Sequence, residues 1–225
     1  MIDWSPVLLS LRVGLSALAV IFVLGTLAAR AMTRRHFPGK DVVDGLLVLP
    51  LVLPPVVTGF LLLVLLGRNG PVGRLMEDAF GVRLLFTLHA AVLAAVVVAF
   101  PLMYQSAKAA FQSVDTRLED AARTLGAGPW DRFFTVTLPL MLPGVLAGAV
   151  TAFSAGLGEF GAVITFVSNI PGETRTLPLA LYTALQTPGG DAIAARLAMI
   201  SFALGLLGLI AAEFIARRVR HSLGR

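Results

Sequence analysis

Five long stretches without a charged side chain constrain the fold of this chain more than any other feature. A helix needs about 20 mostly apolar residues to cross about 30 Å of hydrocarbon. Three stretches meet that length outright, and the first and last reach it if Arg12 and Glu213 lie near the interfaces. Only 14% of the 225 residues are charged and 57% are hydrophobic, so the pattern predicts an all-α polytopic membrane protein with about five transmembrane helices. The stretches are Val13–Ala29, Gly45–Gly67, Leu84–Ala107, Phe133–Gly158 and Leu197–Ala212.

The basic residues cluster in three short segments, which predicts the topology. These segments are 30–40, 108–132 and 217–225, and they alternate with segments that hold fewer Lys and Arg. Cytoplasmic loops collect basic residues, so all three rich segments are expected in the cytoplasm. With five spans, the amino terminus then lies outside and the carboxyl terminus inside. The net charge of +5 therefore indicates membrane topology rather than nucleic-acid binding.

The residue types that the chain lacks exclude several kinds of site. It has no cysteine, and its only lysines, Lys40 and Lys108, lie outside any glycine-rich phosphate-binding motif. Its histidines are scattered, so no metal site is expected. We predict a single transmembrane domain over residues 1–225 that is not an ATPase or another enzyme and binds no cofactor. No cleavable signal peptide is evident, so the first span is expected to remain as an anchor.

Two of the predicted spans contain helix-breaking residues that a simple anchor does not need. The second contains Pro50, Pro54 and Pro55, and proline removes a helix hydrogen bond and clashes with the preceding turn. The fourth begins with a proline-rich segment and continues through spaced glycines, which allow close helix packing. Each feature alone indicates kinked packing. Together they resemble helices that line a pathway which opens and closes.

The segment between residues 159 and 191 allows two interpretations. Its two apolar stretches, Phe160–Pro171 and Thr176–Pro188, are each short for a span, and a proline-glycine turn lies between them. They form either a pair of half-helices that faces the outside or one tilted sixth span. A sixth span would place the basic tail outside. The half-helix pair is therefore preferred.

The loop over residues 108–137 has the pattern of a docking surface. Thr116 and Glu119 fit a capping box at the start of a short helix, and Gly126 is a favoured helix terminator. Small and apolar residues recur three and four positions apart and form one shallow face with a polar rim. That face is too weakly hydrophobic for strong lipid binding and indicates a soluble protein partner. The face consists of Leu118, Ala121, Ala122 and Leu125.

At these positions the chain resembles the permease subunits of ABC importers. The family motif reads Glu-Ala-Ala, three residues, Gly, nine residues, Ile, one residue, Leu-Pro. Here Asp replaces Glu and Val136 replaces Ile, and both substitutions conserve charge or shape. The resemblance implies a type I importer permease fold and a coupling helix that inserts into a cytoplasmic ATP-hydrolysing subunit. The implied coupling residues are Glu119, Asp120, Ala121, Ala122, Gly126, Leu138 and Pro139.

Three further segments look like the molybdate permeases, a branch shared with sulfate permeases. These are Leu49–Gly59, the block Gly158–Ala162, and Ser168–Tyr182. The resemblance implies a multi-pass protein of the bacterial inner membrane that forms a homodimer. The implied partners are two ATPase subunits, which bind the ATP, and a periplasmic oxyanion-binding protein. Sulfate or tungstate remains an alternative cargo. An energy-independent membrane channel or scaffold is the alternative from another functional class.

A second set of residues is assigned to the translocation pathway or its gate. Glu159, at the end of the longest charge-free stretch, is either an interfacial side chain or a gate residue hydrogen-bonded across the dimer. Arg175 is either an anion-facing group flanked by two threonines or a loop charge that touches the binding protein. The full set is Pro54, Pro55, Thr58, Gly158, Glu159, Gly161, Thr174 and Arg175.

Overall fold

The computed structural model describes residues 3–222, which form helices joined by short connections. Arg225, which the charge argument places in the cytoplasmic tail, lies outside the described residues. Residues 133–137 form one wider π-helical segment that joins α7 to α8. The helices are α1 Ser5–Arg34, α2 Lys40–Val52, α3 Pro55–Leu66, α4 Pro71–Phe80, α5 Leu88–Gln112, α6 Thr116–Thr124, α7 Pro129–Arg132, α8 Leu138–Leu157, α9 Gly161–Phe166, α10 Leu177–Leu185 and α11 Asp191–Ser222.

The described helices confirm the prediction of an all-helical membrane protein with about five spans. Four helical segments are long and apolar enough to cross a membrane, and the pair α2 and α3 makes a fifth if it counts as one broken span. The sides on which the two termini lie stay a prediction. The four continuous segments are Ser5–Arg34, Leu88–Gln112, Pro129–Leu157 and Asp191–Ala211.

The second predicted span is broken at its prolines. α2 and α3 meet at an angle of 114°. Leu53 is extended, with ψ of 140°, which is the conformation that a residue before proline favours. Pro54 then precedes α3, and Pro55 occupies its first turn, where a missing N–H costs nothing. The prolines therefore turn one apolar stretch into two short helices.

The core lies where α1, α5 and α8 pack together. α5 contributes fully buried small side chains such as Ala94 and Ala99, which allow its neighbours to approach closely. A Cβ at Gly148 of α8 would lie only 2.5 Å from the Cβ of Ser106. The close packing predicted for the glycines of the fourth span is confirmed at this position.

The segment after α8 forms two short helices rather than a continuous sixth span. α9 has six residues and α10 has nine, and at 1.5 Å per residue neither approaches the roughly 30 Å of a bilayer core. The backbone N–H of Leu177, in the first turn of α10, donates to Oγ of the buried Ser10 at 2.7 Å. α10 is thereby fixed against the amino-terminal part of α1.

Candidate coupling surface and translocation elements

Helix α6, which the motif predicts to be the coupling helix, is capped differently from the sequence prediction. Its N-cap is Asp115, whose carboxylate accepts the backbone N–H of Arg117 at 2.9 Å, and Thr116 is the first helical residue. The capping box of Thr116 and Glu119 is therefore wrong. Asp and Thr are both strong N-cap residues, so adjacent candidates cannot be separated from local sequence alone.

Glu119 instead connects α6 to two other parts of the protein. Its carboxylate accepts hydrogen bonds from Arg34, at the end of α1, and from the hydroxyl of Thr137 at 2.6 Å. The side chain of Glu119 is 12% exposed. The hydrogen bond from Arg34 holds the pKa of Glu119 below its usual value, against the opposing effect of burial. The ion pair therefore stabilises the fold above the ordinary carboxylate pKa of about 4.3 and is lost only as pH falls through the lowered value.

Apart from Glu119, the side chains of α6 lie at the surface of the chain. None of its residues is buried, and Leu118 is 47% and Leu125 is 88% exposed. Ala121 is exposed and Ala122 is half-buried. The helix ends at Thr124, and Gly126 takes the left-handed conformation, with φ of 87°. The predicted small apolar face is thus present and, apart from the half-buried Ala122, lies exposed at the surface.

The last two motif residues, Leu138 and Pro139, are the first two residues of α8, directly after the predicted coupling loop. Before Pro139, the backbone N–H of Leu138 donates to the carbonyl of Phe133, five residues earlier. This wider π turn lets a continuous helix pass through a residue that has no N–H. The guanidinium of Arg30 lies 4.1 Å from the ring centre of Phe133. α7, the π segment and α8 therefore form one continuous helical segment that packs against α1.

The hydrogen bonds of Glu119 yield a first prediction, which follows from the predicted coupling role of α6. We expect Glu119→Ala to lower ATP-driven uptake by about three- to tenfold, because it removes the hydrogen bonds from Arg34 and Thr137 that join α6 to two spans. Uptake and ATP hydrolysis are to be measured in the same reconstituted vesicles. Glu77→Ala is the matched control, because it removes an ion pair of 2.6 Å between Glu77, on α4, and Arg83 and leaves α6 unchanged. Equal uptake by Glu119→Ala and the wild type would contradict this role.

Several of the residues predicted for the pathway, among them Pro55, Thr58 and Gly161, come together where α3 packs on α9. A Cβ at Gly161 would lie 2.9 Å from the Cβ of Pro55, and a Cβ at Gly59 would lie 2.7 Å from both the Cα and the carbonyl oxygen of Ala162. Thr58 is buried, and its hydroxyl has no partner in the described part of the chain. The broken second span and the first half-helix thus form one tightly packed unit.

Glu159 lies at the start of this unit, directly after Gly158. Its side chain accepts the backbone N–H of Ala162 at 2.7 Å, and the residue is 7% exposed. A carboxylate is a favourable partner for the free N–H groups of a first helical turn. Within the single chain, Glu159 therefore supports α9. Its hydrogen bond across a dimer stays a prediction.

Thr174 and Arg175 are adjacent in sequence but have different partners. The hydroxyl of the fully buried Thr174 accepts from the backbone N–H of Ile170 at 3.0 Å and donates to the carbonyl of Ser168 at 3.2 Å. It therefore holds the preceding loop together. Nε of Arg175 donates to Oδ1 of Asn169 at 2.8 Å, which leaves the terminal nitrogens of the guanidinium available.

A cluster of three polar side chains on α2 and α5 was not predicted from the sequence. Nζ of Lys108, on α5, lies 2.6 Å from Oδ1 of Asp44, on α2, and the hydroxyl of Tyr104 donates to the same carboxylate. These residues line a cleft of about 260 Å³. The sequence signal that could have indicated this ion pair is the position of the two residues. Asp44 directly precedes one uncharged stretch, and Lys108 directly follows another. In the part of the chain whose side chains are described, no three His, Cys, Asp or Glu residues are grouped as metal ligands.

Comparison with known proteins shows the family of this chain. A sequence model described as "Binding-protein-dependent transport system inner membrane component" matches residues 21–221. The "Molybdenum transport system permease protein ModB" of Escherichia coli K12 is 56% identical over 225 residues, covering 99% of this chain and 97% of that protein. The protein of the same name from Haemophilus influenzae is 48% identical over 221 residues, covering 98% and 96%.

A solved structure shows the same fold at low sequence identity. It belongs to a bacterial ABC transporter involved in the import of the acidic polysaccharide alginate. The TM-score is 0.76 and the identity is 18%, and the match covers 95% of this chain and 78% of that one. The type I importer permease fold expected from the coupling motif is therefore confirmed.

Proposed function

This chain belongs to the binding-protein-dependent transport system inner membrane components, and from that membership we propose that it imports molybdate as the permease subunit of an ATP-driven transporter. The chain is a multi-pass membrane protein and a transporter subunit rather than an enzyme. The support for molybdate is the identity of 56% over nearly the full length of a molybdenum permease. We place the chain in the bacterial inner membrane, where its family description places such components.

The open face of α6 is the observation that carries the ATP-driven part of this proposal. A nine-residue helix whose residues are all at least partly exposed gains little stability from its own packing. Its attachment to α1 and to the π segment through Glu119 gives it a fixed position. We assign the exposed face around Ala122 to a groove of a cytoplasmic ATPase, and ATP binds to that partner. A second copy of this chain and a periplasmic oxyanion-binding protein complete the proposed assembly.

The attachments of α6 also define how movement would pass into the membrane. Displacement of α6 would pull on Arg34 at the end of α1 and on Thr137 at the start of α8. These two helices pack on α5, and α5 packs on the broken span and on α9. Movement of the unit formed by α3 and α9 would then open the pathway alternately to each side. The proposed gate residues are Pro54, Pro55, Thr58, Gly158, Glu159 and Gly161. Of the other two residues predicted for the pathway, Thr174 holds the loop after α9 together, and Arg175 lies at a groove between α10 and α11.

Uptake by the reconstituted transporter tests this function. The chain is to be reconstituted with an ABC ATPase and a periplasmic oxyanion-binding protein from the same organism, and the uptake of radiolabelled molybdate is to be measured. We expect uptake that requires internal ATP and the binding protein, with stronger competition from unlabelled molybdate than from sulfate. Tungstate is the closest chemical competitor and is tested in the same way. Uptake without ATP would support a channel instead, and complete competition by sulfate at equal concentration would contradict the cargo assignment.

A further inference from the structure

A groove separates α10 from α11 at the end of the molecule opposite the coupling loop. It has a volume of about 300 Å³. One wall contains Ala180 and Ala184, and the other contains Ile193, Leu197 and Ile200, which lie on one face of α11. The two buried alanines have short side chains, so they leave space between α10 and the side chains of α11.

Two guanidinium groups lie at this otherwise apolar groove. Arg175 is held in place from one side, because Nε donates to Asn169 and the amide nitrogen of Asn169 donates to Thr183 at 2.8 Å. Arg196 lies on the α11 wall and is exposed. Asp3 also lines the groove, but its carboxylate accepts the backbone N–H of Ser5 at 2.9 Å. Among the side chains that the structure describes, no carboxylate forms an ion pair with either arginine.

The surroundings of the groove indicate which anion it accepts. α11 lies at the periphery, since only 11% of its most apolar segment is buried, and Met199 and Phe202 continue below the groove as exposed apolar side chains. Arg196 lies five residues after the helix begins at Asp191, which is about 7.5 Å along the axis. That depth suits a lipid headgroup when the helix begins near the membrane surface. A free oxyanion would not need the apolar walls.

We propose that this groove binds an anionic phospholipid of the outer leaflet. Its phosphate lies between the guanidinium groups of Arg175 and Arg196, which donate charge-assisted hydrogen bonds to phosphate oxygens. One acyl chain lies along Leu197 and Ile200 toward the exposed side of α11. The lipid fixes α10 to α11, and α10 is joined through the loop at Thr174 to the proposed gate. This site does not depend on which anion the transporter carries.

Lipid retention by the purified full-length chain tests the site. The wild type, Arg175→Gln, Arg196→Gln and the double variant are to be titrated in detergent with phosphatidylglycerol or phosphatidylcholine, and bound lipids are to be counted by native mass spectrometry. We expect each single variant to bind phosphatidylglycerol about fivefold more weakly, the effect of one basic residue near a membrane surface. Phosphatidylcholine binding is expected to change less. Arg12→Gln is the control, because it removes an exposed arginine of α1 that does not line the groove.

The outcomes separate this site from its alternatives. Equal phosphatidylglycerol binding by the wild type and the double variant would overturn the proposal. Unchanged lipid binding combined with lost affinity for the periplasmic protein would assign the arginines to protein docking and would also overturn it. If the variants do not fold, a photo-crosslinking residue at Thr187 in the native chain still tests the location. It is expected to capture phosphatidylglycerol more efficiently than the same residue at Leu185, which does not line the groove, and equal capture at both positions contradicts the site.

Discussion

Ala122→Glu is expected to reduce ATP-driven uptake by at least about thirtyfold while the permease still reaches the membrane. Ala122 lies between the anchored Glu119 side of α6 and its exposed apolar face. A carboxylate there would be buried without a partner on docking, which costs about 2–5 kcal/mol in a protein interface. The measurement is uptake in vesicles together with co-purification of the ATPase. Both are expected to fall in parallel.

A control variant with a charge at another position of the same helix distinguishes loss of ATPase docking from general damage to the permease. Thr116→Glu adds the same carboxylate in the first turn of α6, about 200° around the helix from Leu118. An acidic residue near a helix N-terminus is favourable, so we expect near-normal uptake. If Ala122→Glu leaves ATPase binding and uptake intact, the assignment of this face to the motor subunit is wrong.

Gly59→Ala is expected to produce the second large effect, on stability and on transport. The new Cβ would lie 2.7 Å from the Cα and from the carbonyl oxygen of Ala162, and neither backbone atom can rotate away. Overpacking of this kind costs about 1–3 kcal/mol. We therefore expect a melting temperature about 3–10 °C lower in detergent. We also expect reduced uptake, because the proposed mechanism requires α3 and α9 to move as one packed unit.

The same substitution in the other half of the broken span is the control. A Cβ at Gly45, in α2, meets no atom within 4 Å. Alanine is the better helix former by about 1 kcal/mol, so Gly45→Ala is expected to leave stability unchanged or slightly higher. An unchanged melting temperature for Gly59→Ala would show that α3 and α9 are not packed this closely in the working protein.

The parts of the fold that depend on local chemistry could be predicted from the sequence. Uncharged stretches identified the spans, since hydrocarbon excludes charge whatever the tertiary structure. Pro54 and Pro55 identified the break between α2 and α3, because a missing N–H acts within one turn. Gly126 identified the end of α6 for a similarly local reason. The coupling motif identified the exposed face because its spacing is that of a single short helix.

The contacts between distant segments could not be predicted in this way. Glu119 lies three residues after Thr116, which fits a local capping box, but its actual partner, Arg34, lies 85 residues away. The ion pair of Asp44 and Lys108 likewise depends on how α2 packs against α5. Arg175 was predicted to act with two flanking threonines. The hydroxyl of Thr174 is instead bound within the loop, and this depends on a backbone conformation that the residue types do not specify.

The accessibility of Leu125 tests the central claim, that α6 faces the cytoplasm and receives the ATPase. The chain has no cysteine, and Leu125 is 88% exposed, so Leu125→Cys provides a single reporter for a membrane-impermeant maleimide. We predict labelling in inside-out vesicles and not in intact spheroplasts, with protection when the ATPase subunit is bound. Labelling from the outside of intact spheroplasts would contradict both the topology and the coupling role of α6.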